Sequence, residues 1–452
     1  MTRVLVVCAE PIGVRMAGPA IRARELARAL AGEFDVTVAA PAPTELGDGR
    51  LQLVEAGFED YEPLAAAVAA ADVVVAQALP PRLLSRLPKL GTRLVADLYN
   101  PSPLEVLEAG RDRPPASRRR QQAIVGRSAV AHCAAADRIV CASEKQRDLW
   151  LGLMAGQDLI DLEAYGEDPT FRSVIDVVPF GMPAEPPQAG AGVLKGVWPG
   201  IAPDDKVVLW GGGIWNWLDP GTAIEAAARL EARRTGGPRT HLVFLGVDRP
   251  AIAPVDAMSS SERAIALARR LGVEGEVVHF NRDWVPYGER GAWLLEADLG
   301  ISAHHDHLES RFSFRTRVLD YLWAGLPVVA TRGDTLADLV AAHGIGLAVP
   351  PEDPDAFADA IAALLGDAEA RAQAVAAIGR LAPSLTWEAA ARPLAEFCRR
   401  PARPLTRPRR RALAQATAGQ YPRLLAETGA RLGPAGAARQ VARNLRRAAA
   451  RR

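Results

Sequence analysis

Two doubly wound α/β domains facing across a cleft are what this sequence predicts, on three observations. Short apolar runs of strand length alternate with segments of helical periodicity along most of the chain. The alternation stops after Pro183, where Pro, Gly and Ala dominate through Gly200, and resumes at Lys206. At 452 residues and 49% hydrophobic content, each half has enough apolar surface for a core of its own. The predicted domains are therefore 1–183 and 206–395, joined by a linker at 184–205 and followed by a basic stretch at 399–452.

The first series opens at 3–9 with RVLVVCA, an apolar run suited to a buried parallel strand. A loop at 10–20 leads into IRARELARAL at 21–30, which has helical spacing, and FDVTVAA at 34–40 returns as a strand, completing a βαβ unit. Further strand-length runs stand at 72–76, 93–97, 138–142 and 176–179. The second series places them at 207–210, 241–246, 276–280, 297–303, 327–331 and 347–350, with helical segments at 221–234, 260–271, 317–323 and 353–365. Open parallel sheets bind ligands beyond their C-terminal strand edges, so the site is expected in the cleft between the domains.

The four cysteines, Cys8, Cys133, Cys141 and Cys398, have no metal-ligand spacing, and so few in a long chain suits a reducing cytosol. No run of eighteen apolar residues and no leader-like N-terminus occurs, so the expectation is a cytoplasmic protein without a transmembrane span. The net charge of +1 conceals a division: residues 399–452 hold fifteen Arg and one acid, +14 together, which leaves −13 for the rest. Behind its Pro-rich start this stretch reads either as a solvated tail or as a segment that meets an anionic membrane surface, and nucleic acid is not favoured.

The most informative segment is FSFRTRVLDYLWAGLPVVAT at 312–331. Polar residues and two arginines, Arg315 and Arg317, precede a short apolar helix, a Gly-Leu-Pro turn and a buried strand. A helix start offers unpaired N–H groups, and guanidiniums add charge suited to a diphosphate. Asp320, four residues after Thr316, can accept hydrogen bonds from a ribose at the same helix mouth. The segment resembles the C-terminal half-site of GT-B glycosyltransferases of the retaining group 1 family, in the form F-P-S-K-L-x-E-Y followed by A-x-G-x-P-V-V. Arg317 stands for the Lys of that form and Asp320 for its Glu. The first Glu of the family's Glu-x7-Glu pattern falls on Phe312, and Glu309 is the nearby carboxylate that could replace it.

The resemblance implies a GT-B fold of two Rossmann-like domains and transfer of a sugar from a nucleoside diphosphate-sugar, as substrate, to a hydroxyl acceptor, with retention and without a cofactor or metal. It also implies lipid-linked acceptors at the inner membrane face. Gly18 and Arg22, in GPAIR at the start of a helix, resemble the family's Gly-Gly-x-x-Arg opening and fall on the acceptor side. Asp97, at a strand end where relatives carry His, either binds a substrate hydroxyl or caps the next turn. After the second domain's first strand, relatives carry an Arg and a Lys that clamp the diphosphate; this chain has WGGGIWNW and no cation from Trp210 to Ala228. Gly211, Gly212 and Gly213 could offer a backbone nest, and the leaving charge would fall on Arg315, Arg317 or Arg22. In SAHHDHLESR at 302–311, neighbouring side chains point apart, so His304 or His307, together with Glu309, is expected to touch the donor sugar rather than a metal. The missing clamp leaves a silent sugar-nucleotide-binding subunit as a rival reading, and a GT-B-like epimerase as another.

Overall fold

The computed structural model describes residues 1–247 and 259–418. Its first sheet contains β1 (Arg3–Val7), β2 (Asp35–Ala40), β3 (Gln52–Glu55), β4 (Val73–Ala76), β5 (Arg93–Asp97), β6 (Arg138–Cys141) and β7 (Ile175–Val177), ordered β3-β2-β1-β4-β5-β6-β7. The second contains β8 (Lys206–Trp210), β9 (Thr240–Leu245), β10 (Val278–Asn281), β11 (Leu299–Ser302), β12 (Val328–Thr331) and β13 (Gly346–Val349), ordered β10-β9-β8-β11-β12-β13. Every pairing between these strands is parallel, as where Val4 lies beside Val36 on one side and Val73 on the other. Helices cover both faces, which is why the central strands are continuous Val, Leu and Ala runs without alternation. Strand β3, absent from the sequence reading, is a mostly exposed edge strand with too little apolar patterning to declare itself.

The order in which successive strands are added reverses between β1 and β4 in one sheet and between β8 and β11 in the other. Such switch points open a crevice at the C-terminal strand ends, and the loops after β1 and β8 lead into one. The expected linker is not loose. Glu296 accepts from the backbone N–H groups of Val193, Leu194 and Lys195 at 2.7, 2.8 and 2.9 Å, and Leu194 is fully buried against the second domain.

The basic stretch departs further from expectation. After the second domain the chain crosses back beside the linker: Met182 N–H donates to Leu385 O at 2.9 Å and Trp387 N–H to Met182 O at 3.1 Å. A Cβ at Gly181 would lie 2.5 Å from the Trp387 backbone, so only glycine fits between the crossings. Residues 399–418 then pack on the first domain. Arg403 N–H donates to Asp137 at 2.6 Å, and Ala412, Leu413 and Ala416 of the helix Arg407–Thr417 enter that domain's core. Arg409, 3% exposed, donates to Ala134 O at 3.1 Å and Ala135 O at 3.3 Å, satisfying carbonyls at the C-terminus of the helix Pro115–Ala135. The expected separate tail is thus, through Ala418, a structural part of domain one; the remainder lies outside the described residues.

Candidate functional site

The second-domain wall of the cleft is pinned by Tyr321. Its hydroxyl accepts from Gly211 N–H at 2.7 Å and donates to Ile301 O at 2.8 Å, tying the helix Arg317–Trp323 to the ends of β8 and β11. Gly300 makes room for the ring, since a Cβ there would sit 2.2 Å from it. The sequence therefore dictates this local arrangement through one tyrosine and two glycines.

Arg317 is held by that frame. It is 9% exposed, its guanidinium lies 4.6 Å over the Trp210 ring, and one nitrogen donates to Gly213 O at 3.1 Å. The other terminal nitrogen, Nη1, is buried without a hydrogen-bond partner. No carboxylate of the described residues lies within ion-pair distance of it. Burial lowers its pKa to about 10, so it keeps its charge at neutral pH. A buried cation with no counter-ion, lining the cleft, is a site made for an anion.

The other predicted cations are already matched. Arg315 grips Glu309 through two contacts of 3.1 and 2.7 Å, both residues buried. Arg22 is 0% exposed and bidentate to Asp97, with both contacts at 2.7 Å, and also donates to Val178 O and Pro179 O. The expectation that Asp97 meets substrate and that Arg22 faces the acceptor is therefore corrected: a guanidinium this deep requires a carboxylate, and each residue uses up the other. Glu309 lines a cavity but serves Arg315 rather than standing free for a sugar.

The histidine run separates. His307 Nδ1 accepts from Ser310 N–H at 3.3 Å and so caps the helix Leu308–Phe312, and the ring lines neither cleft cavity described below, contrary to the sugar contact expected of it. His304 is buried 3.4 Å from Asp334, and His305 reaches Glu352 at 2.8 Å. Burial, then the Arg315 charge, lowers the His304 pKa to about 4.

Two adjoining cavities occupy the cleft and share Ala17, Gly18, Phe180, Trp215, Thr316 and Arg317. Gly212, at φ +81°, and Gly213 line the first; Gly211 N–H is engaged by Tyr321, so the expected nest is reduced to its later members. The helix Gly18–Leu30 enters at its N-terminus with no side-chain cap, leaving N–H groups open to a ligand. Asp320 lies in the same cavity, half-exposed, with one oxygen held by Arg290 Nε at 3.0 Å. Arg290 is sandwiched between the Tyr287 and Trp323 rings, at 3.6 and 4.5 Å. It was missed by motif reading because VPYGER lies between strands in no recognised pattern, although an aromatic and cationic loop just beyond a strand end was a usable signal. Trp284 and Tyr287 tie the cavity to the first domain by donating to Met16 O at 3.3 Å and Val14 O at 2.8 Å.

Residues 205–367 match the family of glycosyl transferases group 1. A D-inositol 3-phosphate glycosyltransferase of Catenulispora acidiphila is 32% identical over 166 residues, 37% of this chain and 36% of that protein. One of Frankia alni is 28% identical over 262 residues, 57% of this chain and 58% of its own length. The chain thus spans between about a third and three fifths of these curated relatives. Anabaena HepE, solved in complex with UDP-glucose, superposes with a TM-score of 0.61 at 14% identity, covering 88% of this chain and 99% of that one. Sucrose-phosphate synthase of Thermosynechococcus elongatus gives 0.58 at 16% identity, over 88% and 98%. The architecture is therefore the GT-B fold, and the domain that carries Arg317 matches the group 1 glycosyl transferases.

Proposed function

We propose that the protein is a glycosyltransferase that moves a sugar from a nucleoside diphosphate-sugar to a hydroxyl acceptor with retention at the anomeric carbon. The observation that carries the reading is Arg317, a buried, charged guanidinium with an unused donor and no carboxylate, set at a helix start in the domain that matches the family. Arg317, the open N–H groups of Gly212 and Gly213 and the start of the helix Gly18–Leu30 would hold the diphosphate. The free oxygen of Asp320, fixed by Arg290, would accept from the ribose.

The work asked of these groups is electrostatic: they favour the departing diphosphate as its bond to the sugar breaks and its charge grows. The acceptor's proton can pass to the leaving phosphate oxygen, so the chain need not supply a base, a metal or another cofactor. Retention is supported by the family likeness. That HepE was solved with UDP-glucose makes a uridine donor the first to try.

An anionic membrane surface is proposed as the working location. The helices Pro81–Leu90, Pro115–Ala135 and Arg407–Thr417 pack on one another and together carry eleven Lys and Arg and no Asp or Glu. No described helix is long and apolar enough to cross a membrane. The test of function is a thermal-shift screen of nucleoside diphosphates, followed by donor hydrolysis and NMR of the anomeric product. Tight binding with neither hydrolysis nor transfer would leave a sugar-nucleotide-binding protein and end the enzymatic reading.

A further inference from the structure

The loop after β8 sets two tryptophans where the second cavity opens from the first. Trp215 and Trp217 stack with ring centroids 5.7 Å apart and planes 12° from parallel. Both are partly exposed; Trp215 lines the two cavities, Trp217 the second alone. Asn216 between them is buried, and its side-chain oxygen accepts from Ser260 N–H at 3.2 Å. The turn is braced beyond the pair as well. Leu218 N–H donates to Trp215 O at 2.9 Å and Asp219 N–H to Ala303 O at 3.0 Å, while the Asp219 carboxylate caps the helix Pro220–Arg233 by accepting from Thr222 N–H at 3.0 Å. The stacked indoles are therefore a braced shelf in the cleft.

The rest of the second cavity's lining combines more aromatic surface with hydrogen-bonding groups. Tyr99 meets Phe180 edge-on at 5.1 Å, Phe180 stacks on Phe314 at 6.3 Å, and the Arg22 guanidinium lies 4.9 Å over the Tyr99 ring. Tyr99 is 5% exposed, and its buried hydroxyl has no hydrogen-bond partner. Buried hydroxyls are almost always paired, so a ligand group is expected to complete it. Asn100, and Glu105 on the helix Ser102–Ala109, line the same space. Burial, and then the charge of Glu309, raises the Glu105 pKa to about 8, so near neutral pH its carboxyl can donate as well as accept.

We infer that the acceptor is a sugar ring, which lays one face on Trp217 and turns its hydroxyls to Tyr99, Asn100 and Glu105. The inference rests on the transferase reading above and names the acceptor class of that same site. With the diphosphate at Arg317, where the cavities meet, the transferred sugar enters the second cavity beside Trp215; Trp217, which reaches only that cavity, is left for the ring that receives it. The face of a pyranose carries C–H groups of slight positive charge, which suit the negative face of an indole, and its rim of hydroxyls suits the polar lining. An acyclic polyol has the hydroxyls without the face and loses more conformational freedom on seating. A phenol has the face but a single hydroxyl, which would leave most of the polar lining unpaired.

The experiment uses the full-length protein, titrated first with UDP and then, at saturating UDP, with the methyl glycosides of glucose, galactose and mannose, with sorbitol and with phenol, each followed by NMR. The tightest of the three glycosides should bind at least about fivefold more tightly than sorbitol or phenol, the margin that an aromatic contact of ordinary strength gives. Trp217→Leu, which keeps apolar bulk but removes the ring, should erase that margin while leaving the affinities for UDP and UDP-glucose unchanged. Tyr99→Phe, which removes only the hydroxyl, should weaken the glycoside about fivefold and covers the case in which the first variant fails to fold. Sorbitol or phenol binding as tightly as the best glycoside, glycoside affinity unmoved in both folded variants, or no binding by any glycoside would overturn the inference. So would an equal loss of UDP-glucose affinity in Trp217→Leu, because the shelf would then serve the donor sugar. Absence of UDP binding in the first titration would sink the transferase reading itself, whereas UDP binding without a glycoside margin would sink only the acceptor class.

Discussion

At Arg317 an exposed-looking motif position becomes a buried charge, and its removal should be read in binding. Arg317→Ala is expected to weaken UDP by roughly 1.5–3 kcal/mol, as loss of a charge-assisted hydrogen bond does, while Arg451→Ala leaves it unchanged; calorimetry decides. Arg22 and Asp97 predict the reverse pattern. Asp97→Asn should leave nucleotide affinity per folded molecule intact but cost about 3–5 kcal/mol of stability, because it strands a buried guanidinium; a normal melting temperature would return Asp97 to the cleft. Acid and alkali should act through different residues. His279 and His304 have pKa values lowered to about 4 by burial first, so the folded state binds fewer protons than the unfolded chain between about pH 4 and 6.5, and their contribution is lost as pH falls through that window. Glu105, raised to about 8, works in the other sense, and stability should decline from about pH 6.5 to 8, by no more than ~2 kcal/mol. Urea melts should show this alkaline decline in the native chain and its loss in Glu105→Gln. Sequence reading singled out Arg317 and Arg315 alike, because both flank one helix; which of them is matched depends on Glu309, whose partner is fixed only by the folded loop.

Elements were legible where burial imposes a pattern. The central strands, apolar on both faces, stood out as Val- and Leu-rich runs, whereas β3 at the edge did not. The docking of the helix Arg407–Thr417 was hidden for a related reason: four of its eleven residues are Arg, and one of them, Arg409, is buried beside Ala412, Leu413 and Ala416. Its burial gives a prediction opposite to that for a dispensable tail. Leu413→Ala should cost about 2–4 kcal/mol, and truncation at Pro401 should lower the melting temperature of the first domain, whereas truncation after Ala418 should not. Equal melting temperatures for the two truncations would show that the helix contributes nothing to that core.

Among the described residues, positive charge gathers on one group of packed helices. The acid-free trio of helices lies on domain one, so vesicles containing anionic lipid should sediment the chain truncated after Ala418 as well as the full-length protein. The binding should fall as salt rises. Replacing Arg407, Arg410 and Arg411 with Gln should weaken it several-fold; retention only in the presence of residues beyond 418 would place the contact in the terminal segment instead. The two-domain plan was readable because each sheet repeats a strand-helix alternation that composition alone reveals. What the sequence concealed was the return of the chain from the second domain to the first, since contacts such as Met182 with Leu385 join residues two hundred positions apart. That return has a consequence for how the protein is made. Domain one is assembled from two separated stretches with domain two encoded between them, so on the ribosome the inner domain can close on its own residues, while the outer one waits, short of Leu413, until nearly all of the described chain has emerged.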